Sequence, residues 1–455
     1  MNDVRLYGSN TQAAIANFDV SGETVDHRII EALAHIKACC AIANSHADVG
    51  RLDREIAAAI VGAAEEVATG KHRDQFPVDV FQTGSGTSTN MNVNEVLASI
   101  ASSVSGLAVH PNDHVNMSQS TNDTFPTAIR VAVSLAIRDQ LLPALGQLAD
   151  ALADKAVEFG DVVKPGRTHL MDATPVMLGD EFGGYAAQIR ESIERIASAQ
   201  TRLVRLPLGG TATGNGLNTP PGHAAMVREL LTERTGVRWQ PPLHHFAVQG
   251  GQDALVEASA QLRGAALAMF KIANDIRLMA SGPRTGLGEL TLTELQPGSS
   301  IMPGKTNPVI CEVVIQVCAQ VVGNDTAIAF AGSRGELELN VYLPVMARNL
   351  LESVDLLAGS CTSLTEKTIV GLRADSERCK RLAELSPAVA TALNLEIGYD
   401  RAASVVKSSL ASGRSLVDEV VETGLMSRER AAELLSVEAM ARGTQDHLTA
   451  QHRDA

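Results

Sequence analysis

A mostly α-helical fold is predicted by three features of this 455-residue sequence. Apolar residues recur at three- and four-residue steps over long segments, which is the spacing of one helix face. Strand-like alternation is scarce, and only 3% of the residues are aromatic. Polar stretches rich in Gly, Ser, Thr and Asn interrupt the apolar segments, so we expect long helices that are joined by polar loops.

The helical pattern can be followed along the chain segment by segment. It first covers residues 25–69, and a later leucine stripe covers 141–152, where Pro143 is expected to kink or restart the helix. Further helices are predicted at 181–204, 253–281, 309–330 and 338–368. Stripes of leucine and alanine on more than one face require several helical neighbours, and a bundle that continues into other subunits would supply them.

The length and the change of pattern along the chain predict three domains. Residues 1–126 form an N-terminal domain in this interpretation, and residues 127–371 form a central domain of long helices. Beyond about Gly371 the predicted helices are shorter and more charged, which indicates a small C-terminal helical domain at 372–455.

The overall charge limits the classes of partner. The chain has 52 acidic against 38 basic residues and a net charge of −14, which argues against a nucleic-acid groove or an anionic membrane surface. A small anionic substrate is not excluded, because it needs only a few local donors. With 45% hydrophobic and 20% charged residues, the composition is that of a soluble globular protein.

No targeting, membrane or metal-binding pattern stands out. The six cysteines have neither zinc-ligand spacing nor the density of a disulfide framework, so we expect no metal site. The N-terminal residues MNDVRLYGSNTQ lack the basic and apolar regions of a secretory signal, which predicts a cytoplasmic location. The longest uncharged run, 206–227, contains too many Gly, Thr and Pro residues for a membrane span.

Five polar stretches hold the residues best suited to bind a ligand. They contain few of the Lys and Glu residues typical of surface loops and many Ser, Thr and Asn residues, which hydrogen-bond a ligand without adding charge. The stretch PGSSIMPGKTNP (297–308) cannot form a helix interior or a central strand, yet it carries a lysine and two serines. Several uncharged donors and one lysine are suited to hold a dicarboxylate.

These stretches resemble the active-site segments of the aspartase/fumarase superfamily, in the family's order. The matching segments are GSGTSTNMNVNEV (84–96), HPNDHVNMSQSTND (110–123), GRTHLMDATP (166–175), GGTATGNGLN (209–218) and GSSIMPGKTNP (298–308). The similarity extends along nearly the whole chain, including IGYDRAA (397–403). It is closest to the class II fumarases, with the aspartases second.

The resemblance implies a three-domain subunit whose long helices form a twenty-helix core in a homotetramer, with each active site shared by three subunits. It also implies reversible hydration of fumarate to (S)-malate, by anti addition of water through an aci-carboxylate intermediate and without a cofactor. The alternative is an aspartate ammonia-lyase, which eliminates ammonia from L-aspartate to give fumarate. The hard step in both is removal of a proton next to a carboxylate, which needs fixed donors around the developing charge.

The resemblance also assigns roles to individual residues. Ser299 would be the general base, stabilised as an alkoxide by backbone N–H groups of its loop, and Lys305 and Asn307 would bind the substrate carboxylate. His169 would handle the leaving group or the water, with Glu312 as its orienting carboxylate. The substrate cradle would be completed by Ser85, Thr87, Ser120, Thr121, Asn122 and Thr168.

Each residue also has a structural alternative. A serine pair commonly forms a turn or a helix cap, an isolated lysine is commonly solvated, and a lone histidine is more often structural than catalytic. Asn90 and Asn94 are as well suited to holding loop backbone together as to binding a ligand. Each of these alternatives is the more common use of its residue type, so the resemblance carries the assignment.

Several departures from the fumarase pattern bear on the choice of reaction. The chain reads STND where fumarases usually read SSND, and DIRLMASGP (275–283) is closer to aspartases. In contrast, DALVEAS (253–259) and ELNVYLPVMARNLLES (338–353) resemble actinobacterial-type fumarases. A secondary anion site is only suggested, by His110, Asn112 and Asp113, because Leu107 stands where many fumarases have an arginine.

Two further classes of function are alternatives to a small-substrate lyase. A non-catalytic relative that uses the fold as a scaffold would be expected to lose residues of the serine loop, and none is lost here. A lyase for a larger fumarate-releasing substrate, such as argininosuccinate or adenylosuccinate, usually has a different serine loop. The pairing of MPGK with GRTHL therefore favours a small substrate.

Overall fold

The computed structural model describes residues 5–443, most of which lie in helices, so the mostly α prediction is confirmed. In chain order the α-helices are α1 (Ser9–Asn17), α2 (His27–Ser45), α3 (Arg54–Ala68), α4 (Thr87–Ser105), α5 (Thr121–Ala136), α6 (Leu142–Glu158), α7 (Leu178–Leu203), α8 (His223–Thr235), α9 (His245–Gln249), α10 (Asp253–Met279), α11 (Val309–Gly332), α12 (Leu343–Leu364), α13 (Ser376–Leu385), α14 (Asn394–Ile397), α15 (Tyr399–Ser412), α16 (Leu416–Glu422) and α17 (Arg428–Leu434). The strands are β1 (Val163–Thr168), β2 (Met171–Met177), β3 (Leu290–Thr291), β4 (Gly335–Glu336), β5 (Leu339–Asn340) and β6 (Arg373–Ala374).

The described chain forms two compact units, each made of discontinuous segments. The first unit contains the residues up to Leu145, Glu191–Leu267 and Gln316–Gly359. The second contains Gly146–Arg190, Ala268–Ile315 and the described residues from Ser360 onward. The division into three domains at residues 126 and 371 stays a prediction.

Helix α2 is at the centre of the first unit, where it packs against α3, α5 and α8. The continuous pattern predicted for 25–69 is interrupted after Ser45, and α3 starts again at Arg54. Asp53 caps this second helix, because its Oδ1 accepts hydrogen bonds from the N–H groups of Glu55 (2.8 Å) and Ile56 (3.3 Å). A capping aspartate thus marks a boundary that hydrophobic periodicity did not reveal.

Pro143 lies inside a helical run that continues from α5 into α6. A π-helical turn, Ile137–Leu141, follows α5, and α6 begins at Leu142. A π-helical turn and a proline are both features at which a helix can bend. The helix does not restart at Pro143, because Ala136 and Leu142, which flank the π-helical turn, both have right-handed helical dihedral angles. The kink expected at Pro143 stays a prediction.

The second unit contains a β-hairpin that the sequence did not predict. Strands β1 and β2 pair antiparallel from Val163 opposite Met177 to Thr168 opposite Met171. Residues 166–175 were expected to form a polar loop between helices, and that expectation is wrong. The turn consists of His169 and Leu170, which are not turn-forming residue types, so the sequence offers no short-range hairpin signal.

The C-terminal helices form a separate apolar cluster with this hairpin. Val163 and Met177 from the hairpin are buried together with Ala383 of α13, Val405 of α15, and Leu393, which lies between α13 and α14. The helices α13–α17 are short, in agreement with the pattern beyond Gly371. The cluster anchors the base of the hairpin, which leaves the turn at its opposite end exposed.

Four long helices, α7, α10, α11 and α12, have 22 to 27 residues each, close to their predicted bounds. Helix α11 is long and apolar enough to cross a membrane by length and composition alone, a test that core helices also pass. Only 33% of the most apolar 18-residue stretch of this helix is buried, and Phe330 is 63% exposed. The apolar side chains of α11 are therefore only partly covered within this single chain.

Candidate active site

The predicted site residues fall into two groups, one in each compact unit. The first unit contains the residues from the N-terminal part of the chain: Ser85, Thr87, His110, Asn112, Asp113, Ser120, Thr121 and Asn122. The second unit contains Thr168, His169, Ser299, Lys305, Asn307 and Glu312.

Ser85 and Thr87 meet at the N-terminus of α4, where their hydroxyl oxygens lie 2.8 Å apart. Gly86 between them has a φ of 79°, and a Cβ at this position would lie 2.4 Å from the ring of Phe125. Only glycine fits both the backbone conformation and the close approach of the ring. The GSG sequence therefore allows the start of α4 to lie directly against α5.

Ser120 and Thr121 form the N-terminus of α5. Ser120 caps this helix, because its Oγ accepts from the N–H of Asn122 (3.3 Å) and its own N–H donates to Asp123 Oδ1 (3.1 Å). Thr121 Oγ1 accepts from Asn90 Nδ2 of α4 at 3.0 Å, so the two helix starts lie side by side. Helix N-termini present unpaired N–H groups and partial positive charge, which suits the binding of a carboxylate.

Asp123 joins the start of α5 to the loop with sequence GGTATGN. Its Oδ2 accepts from the N–H groups of Gly209 and Thr211, both at 2.9 Å, and the amide of Asn122 donates to Ala212 O at 2.8 Å. The side chain is fully buried, and burial raises the pKa of the Asp123 carboxyl although these N–H donors lower it. The sequence reasoning missed this role; a serine three residues before an aspartate signals only the cap.

Lys37 lies in the middle of α2, has no exposed surface, and contacts the residues that directly precede α5. Its Nζ donates to Asn116 Oδ1 (2.9 Å) and to Gln119 Oε1 (2.8 Å). Burial lowers the pKa of Lys37 to about 7, against the opposing influence of Cys40 and Asp123. The sequence reasoning passed over Lys37, because one lysine in an apolar helical stripe normally reaches solvent.

The residues suggested for a secondary anion site lie on the surface of the first unit. The N–H of Asp113 donates to His110 Nδ1 at 3.1 Å, and both side chains are exposed, as is Asn112. The open cleft beside them is also lined by Glu95, and among the described residues that line it none is a lysine or arginine. The cleft therefore lacks the cation that would favour an anion.

In the second unit, Ser299 lies in a loop that closes on itself. Its Oγ accepts hydrogen bonds from the N–H groups of Ile301 (3.2 Å) and Met302 (3.0 Å). The N–H of Gly298 donates to Lys305 O at 2.8 Å, and Asn307 Nδ2 donates to Gly298 O at 2.7 Å. Two backbone donors thus converge on the serine oxygen, an arrangement that also occurs in simple serine turns.

Lys305 and Glu312 lie on either side of the start of α11. The side chain of Lys305 is exposed, Asn307 is half-buried, and α11 begins two residues later at Val309. Glu312 is in the first turn of α11, where its N–H donates to Pro308 O at 3.1 Å. Lys305 and Asn307 therefore directly precede a helix N-terminus.

Thr168 and His169 lie at the exposed tip of the β1–β2 hairpin. His169 and Leu170 have φ values of 59° and 62°, a conformation that favours glycine and is uncommon for other residues. Such backbone strain is often found at functional sites. Within residues 5–443, no group of three or more His, Cys, Asp or Glu side chains is arranged to hold a metal ion.

Comparisons with known proteins agree with this architecture. A family model described as a lyase matches residues 2–323, and one described as the fumarase C C-terminus matches 389–442. The chain is 53% identical to fumarate hydratase class II of Corynebacterium efficiens over 94% of this chain and 90% of that one. It is 52% identical to the enzyme of the same name from Mycobacterium tuberculosis, over 97% and 93% of the two chains.

A solved structure gives the same result for the fold. The class II fumarase of Schistosoma mansoni superposes with a TM-score of 0.94 at 37% identity, over 97% of this chain and 96% of that one. The similarity in sequence and in fold thus covers almost the entire chain. The chain belongs to the class II fumarase family.

Proposed function

We propose that this protein catalyses the reversible hydration of fumarate to (S)-malate. The observation that carries the proposal is identity above 50% with proteins described as class II fumarate hydratases, over at least 94% of the chain. Aspartate ammonia-lyase activity has less support, since these relatives and the structurally similar Schistosoma mansoni protein are described as fumarate hydratases or fumarases. The substrate is a small dicarboxylate.

Ser299 is the general base in this proposal. In the dehydration direction its alkoxide removes the proton from the carbon next to one carboxylate, and the electron pair moves into that carboxylate to give the aci form. The N–H groups of Ile301 and Met302 support the assignment, because both donate to the Oγ atom that would carry the negative charge. Backbone donors of this kind stabilise an oxyanion without moving during the reaction.

Lys305 and Asn307 bind the carboxylate that becomes the aci form. The exposure of Lys305 and the proximity of both residues to the start of α11 support this role. A cation and a helix N-terminus both stabilise the additional negative charge that develops there. The bond from Asn307 Nδ2 to Gly298 O also ties the carboxylate-binding residues to the serine end of the loop.

His169 donates a proton to the departing hydroxyl group, with Thr168 beside it and Glu312 as its orienting carboxylate. The exposed hairpin tip supports this role, because a substrate can reach both side chains. As the carbon–oxygen bond breaks, the hydroxyl receives a proton and leaves as water, and the aci-carboxylate collapses to fumarate. Histidine is suited to this transfer because its ordinary pKa lies near neutral pH.

The second carboxylate is held by the residues at the starts of α4 and α5: Ser85, Thr87, Ser120, Thr121 and Asn122. Their grouping at two adjacent helix N-termini supports this role. Neutral hydroxyl and amide donors would bind this carboxylate both in malate and in fumarate, because the charge of this carboxylate changes little during the reaction. His110, Asn112 and Asp113 remain only a suggested secondary site.

The active form is a homotetramer with sites shared by three subunits, and it works in the cytoplasm. The uncovered apolar side chains of the long helices support an oligomer: Leu267 of α10 is 54% exposed and Phe330 of α11 is 63% exposed. Apolar surface of this kind marks a protein contact. The twenty-helix core and the three-domain subunit are part of the same proposal.

One assay tests the proposed reaction against its alternative. Purified protein is given fumarate in water, and separately fumarate with ammonium, and both malate and aspartate are measured. Malate is expected in both mixtures and aspartate in neither. Aspartate formation that depends on ammonium, without malate, would instead identify an ammonia-lyase.

A further inference from the structure

A buried lysine outside the proposed reaction centre contacts the segment that leads into part of the substrate cradle, Ser120–Asn122. Lys37 is fully buried in α2, although an ammonium group is among the most costly groups to remove from water. Its two hydrogen-bond partners, the side-chain oxygens of Asn116 and Gln119, are both uncharged. Neither partner neutralises the ammonium, so a simple internal ion pair does not explain its position.

The partner Asn116 is the centre of a hydrogen-bond network. Besides Lys37, the amides of Asn90 and Asn94 donate to its Oδ1, both at 3.2 Å. The amide of Asn90 also donates to Thr121 Oγ1, so only two side chains separate Lys37 from a proposed substrate-binding residue. The Oδ1 atoms of Asn90 and Asn94 are buried and have no hydrogen-bond partner among residues 5–443.

The segment that Lys37 contacts has little regular structure of its own. Residues 116–120 connect a π-helical turn, Pro111–Val115, to α5, and Ser118 has a φ of 63°. The other bonds of Gln119 are short-range, because its amide donates to Val115 O and Met117 O. Lys37 thus holds two residues of a connection that ends directly at Ser120.

We propose that Lys37 is a positioning residue for the substrate cradle: it fixes Asn116 and Gln119, and through them the Ser120–Asn122 segment at the start of α5. This inference rests on the proposed function. Without the lysine, Asn116 and Gln119 each lose a hydrogen-bond donor, and the connection before Ser120 keeps from α2 the bonds of Asn44 to Met117 O and Ser118 Oγ. Substrate binding should weaken, because the donors of Ser120–Asn122 would no longer be held in place. Misplacement of positioning groups by about 1 Å can also cost on the order of 10²-fold in rate.

The test compares Lys37→Met with Lys155→Met. Lys155 is also buried, at 7% exposure, and donates to Glu158 Oε2 (2.7 Å) and Leu372 O (2.8 Å) in the second unit. We expect Lys37→Met to raise the KM for fumarate by about tenfold or more, and to weaken binding of succinate measured by calorimetry to a similar degree. The Lys155→Met variant should keep both constants within about twofold of the wild type.

A purely structural role would reduce the amount of folded, active protein and leave KM unchanged, which would overturn the inference. Where Lys37→Met does not fold, Asn116→Leu and Gln119→Leu provide the test, since both retain the lysine and remove its acceptors. They should raise KM in the same way, and an unchanged KM in both would also overturn it. Wild-type protein that forms no malate would contradict both the proposed function and this inference. If the wild type is active, the KM values of the variants test the role of Lys37 alone.

Discussion

The guanidinium of Arg167 and the carboxylate of Glu289 form a two-point ion pair, with N–O distances of 3.0 and 2.8 Å. Glu289 is fully buried, and Lys164 Nζ lies 3.8 Å from the same carboxylate. Arg167 precedes His169 by two residues in β1 and the following turn. A buried charged group therefore fixes the strand that carries the proposed catalytic histidine.

Replacing Glu289 with glutamine should destabilise the protein and lower its activity. The change leaves Arg167 without its buried countercharge, and loss of one partner of a buried pair costs about 3 kcal/mol or more. The free energy of unfolding in denaturant and the kcat for fumarate both measure this. As a control, Asp150→Asn breaks the exposed pair with Arg190 in the same unit and should cost less than about 1 kcal/mol. Equal effects of the two changes would contradict the prediction.

Ser299→Ala should lower kcat for fumarate hydration by about 10²-fold or more and leave KM nearly unchanged. A general base acts in the transition state, so its loss affects turnover more than binding. The neighbouring Ser300→Ala is the matched control, since Ser300 is exposed and is not the acceptor of the two N–H groups. Should Ser299→Ala instead show normal turnover and a lower melting temperature, the serine has only a structural role.

The long helices could be predicted from sequence because their signal is local. Apolar residues at helical spacing gave 309–330 for α11 and 253–281 for α10, against Val309–Gly332 and Asp253–Met279 in the structure. The Ser299 loop was recognised for a similar reason, because its glycines and prolines exclude regular structure. The restart predicted at Pro143 is wrong, because the helix continues through the π-helical turn Ile137–Leu141.

What the sequence did not reveal depends on contacts between distant segments. The β1–β2 hairpin turns on His169 and Leu170, whose positive φ values are imposed by their surroundings and not by residue type. Asp123 bonds to backbone 86 and 88 residues away, and Lys37 bonds to side chains 79 and 82 residues away. No short-range pattern predicts which polar group in an apolar stripe will be buried.

The stability of the protein should fall between pH 6.5 and pH 4 through His223. This residue is fully buried at the start of α8, neither ring nitrogen has a hydrogen-bond partner in the described part of the chain, and burial lowers its pKa from 6.5 to about 4. In the unfolded chain the imidazole takes up a proton near pH 6.5, whereas in the folded protein it stays neutral until about pH 4. As the pH falls through this window, protonation stabilises the unfolded state by up to about 3 kcal/mol.

Denaturant unfolding at several pH values between 7 and 4 measures this effect. His223→Gln has no imidazole at this position, so it should lose less stability than the wild type over the same range. His46→Gln is the control, because the side chain of His46 is 47% exposed and forms no part of this buried site. If the wild type and His223→Gln lose stability in parallel, the prediction is wrong.

Removal of metal ions should leave fumarate hydration unchanged. The proposed reaction uses Ser299, Lys305 and His169 as its base, carboxylate anchor and proton donor, and each step is balanced without a Lewis acid. The test is the rate after dialysis against a chelator, with and without added divalent cations. A loss of activity that a metal ion restores would show that the proposed set of residues is incomplete.

Activity should require chains that assemble with one another. If His169 and Ser299 of one site come from different subunits, the inactive variants His169→Asn and Ser299→Ala should complement each other. After the two are dissociated, mixed in equal amounts and reassembled, about a quarter of the sites in random tetramers would combine an intact histidine with an intact serine. Each variant reassembled alone is the control, and it should stay inactive.

The size of the recovery distinguishes the two arrangements. A site that takes both residues from one chain is damaged in every subunit of the mixture, whatever the composition of the tetramer. Mixed tetramers, verified by different affinity tags on the two variants, would then be as inactive as either parent. Such a result would remove the shared-site part of the proposal and leave the chemistry assigned to Ser299 intact, because the single-variant kinetics do not depend on which chain supplies the histidine.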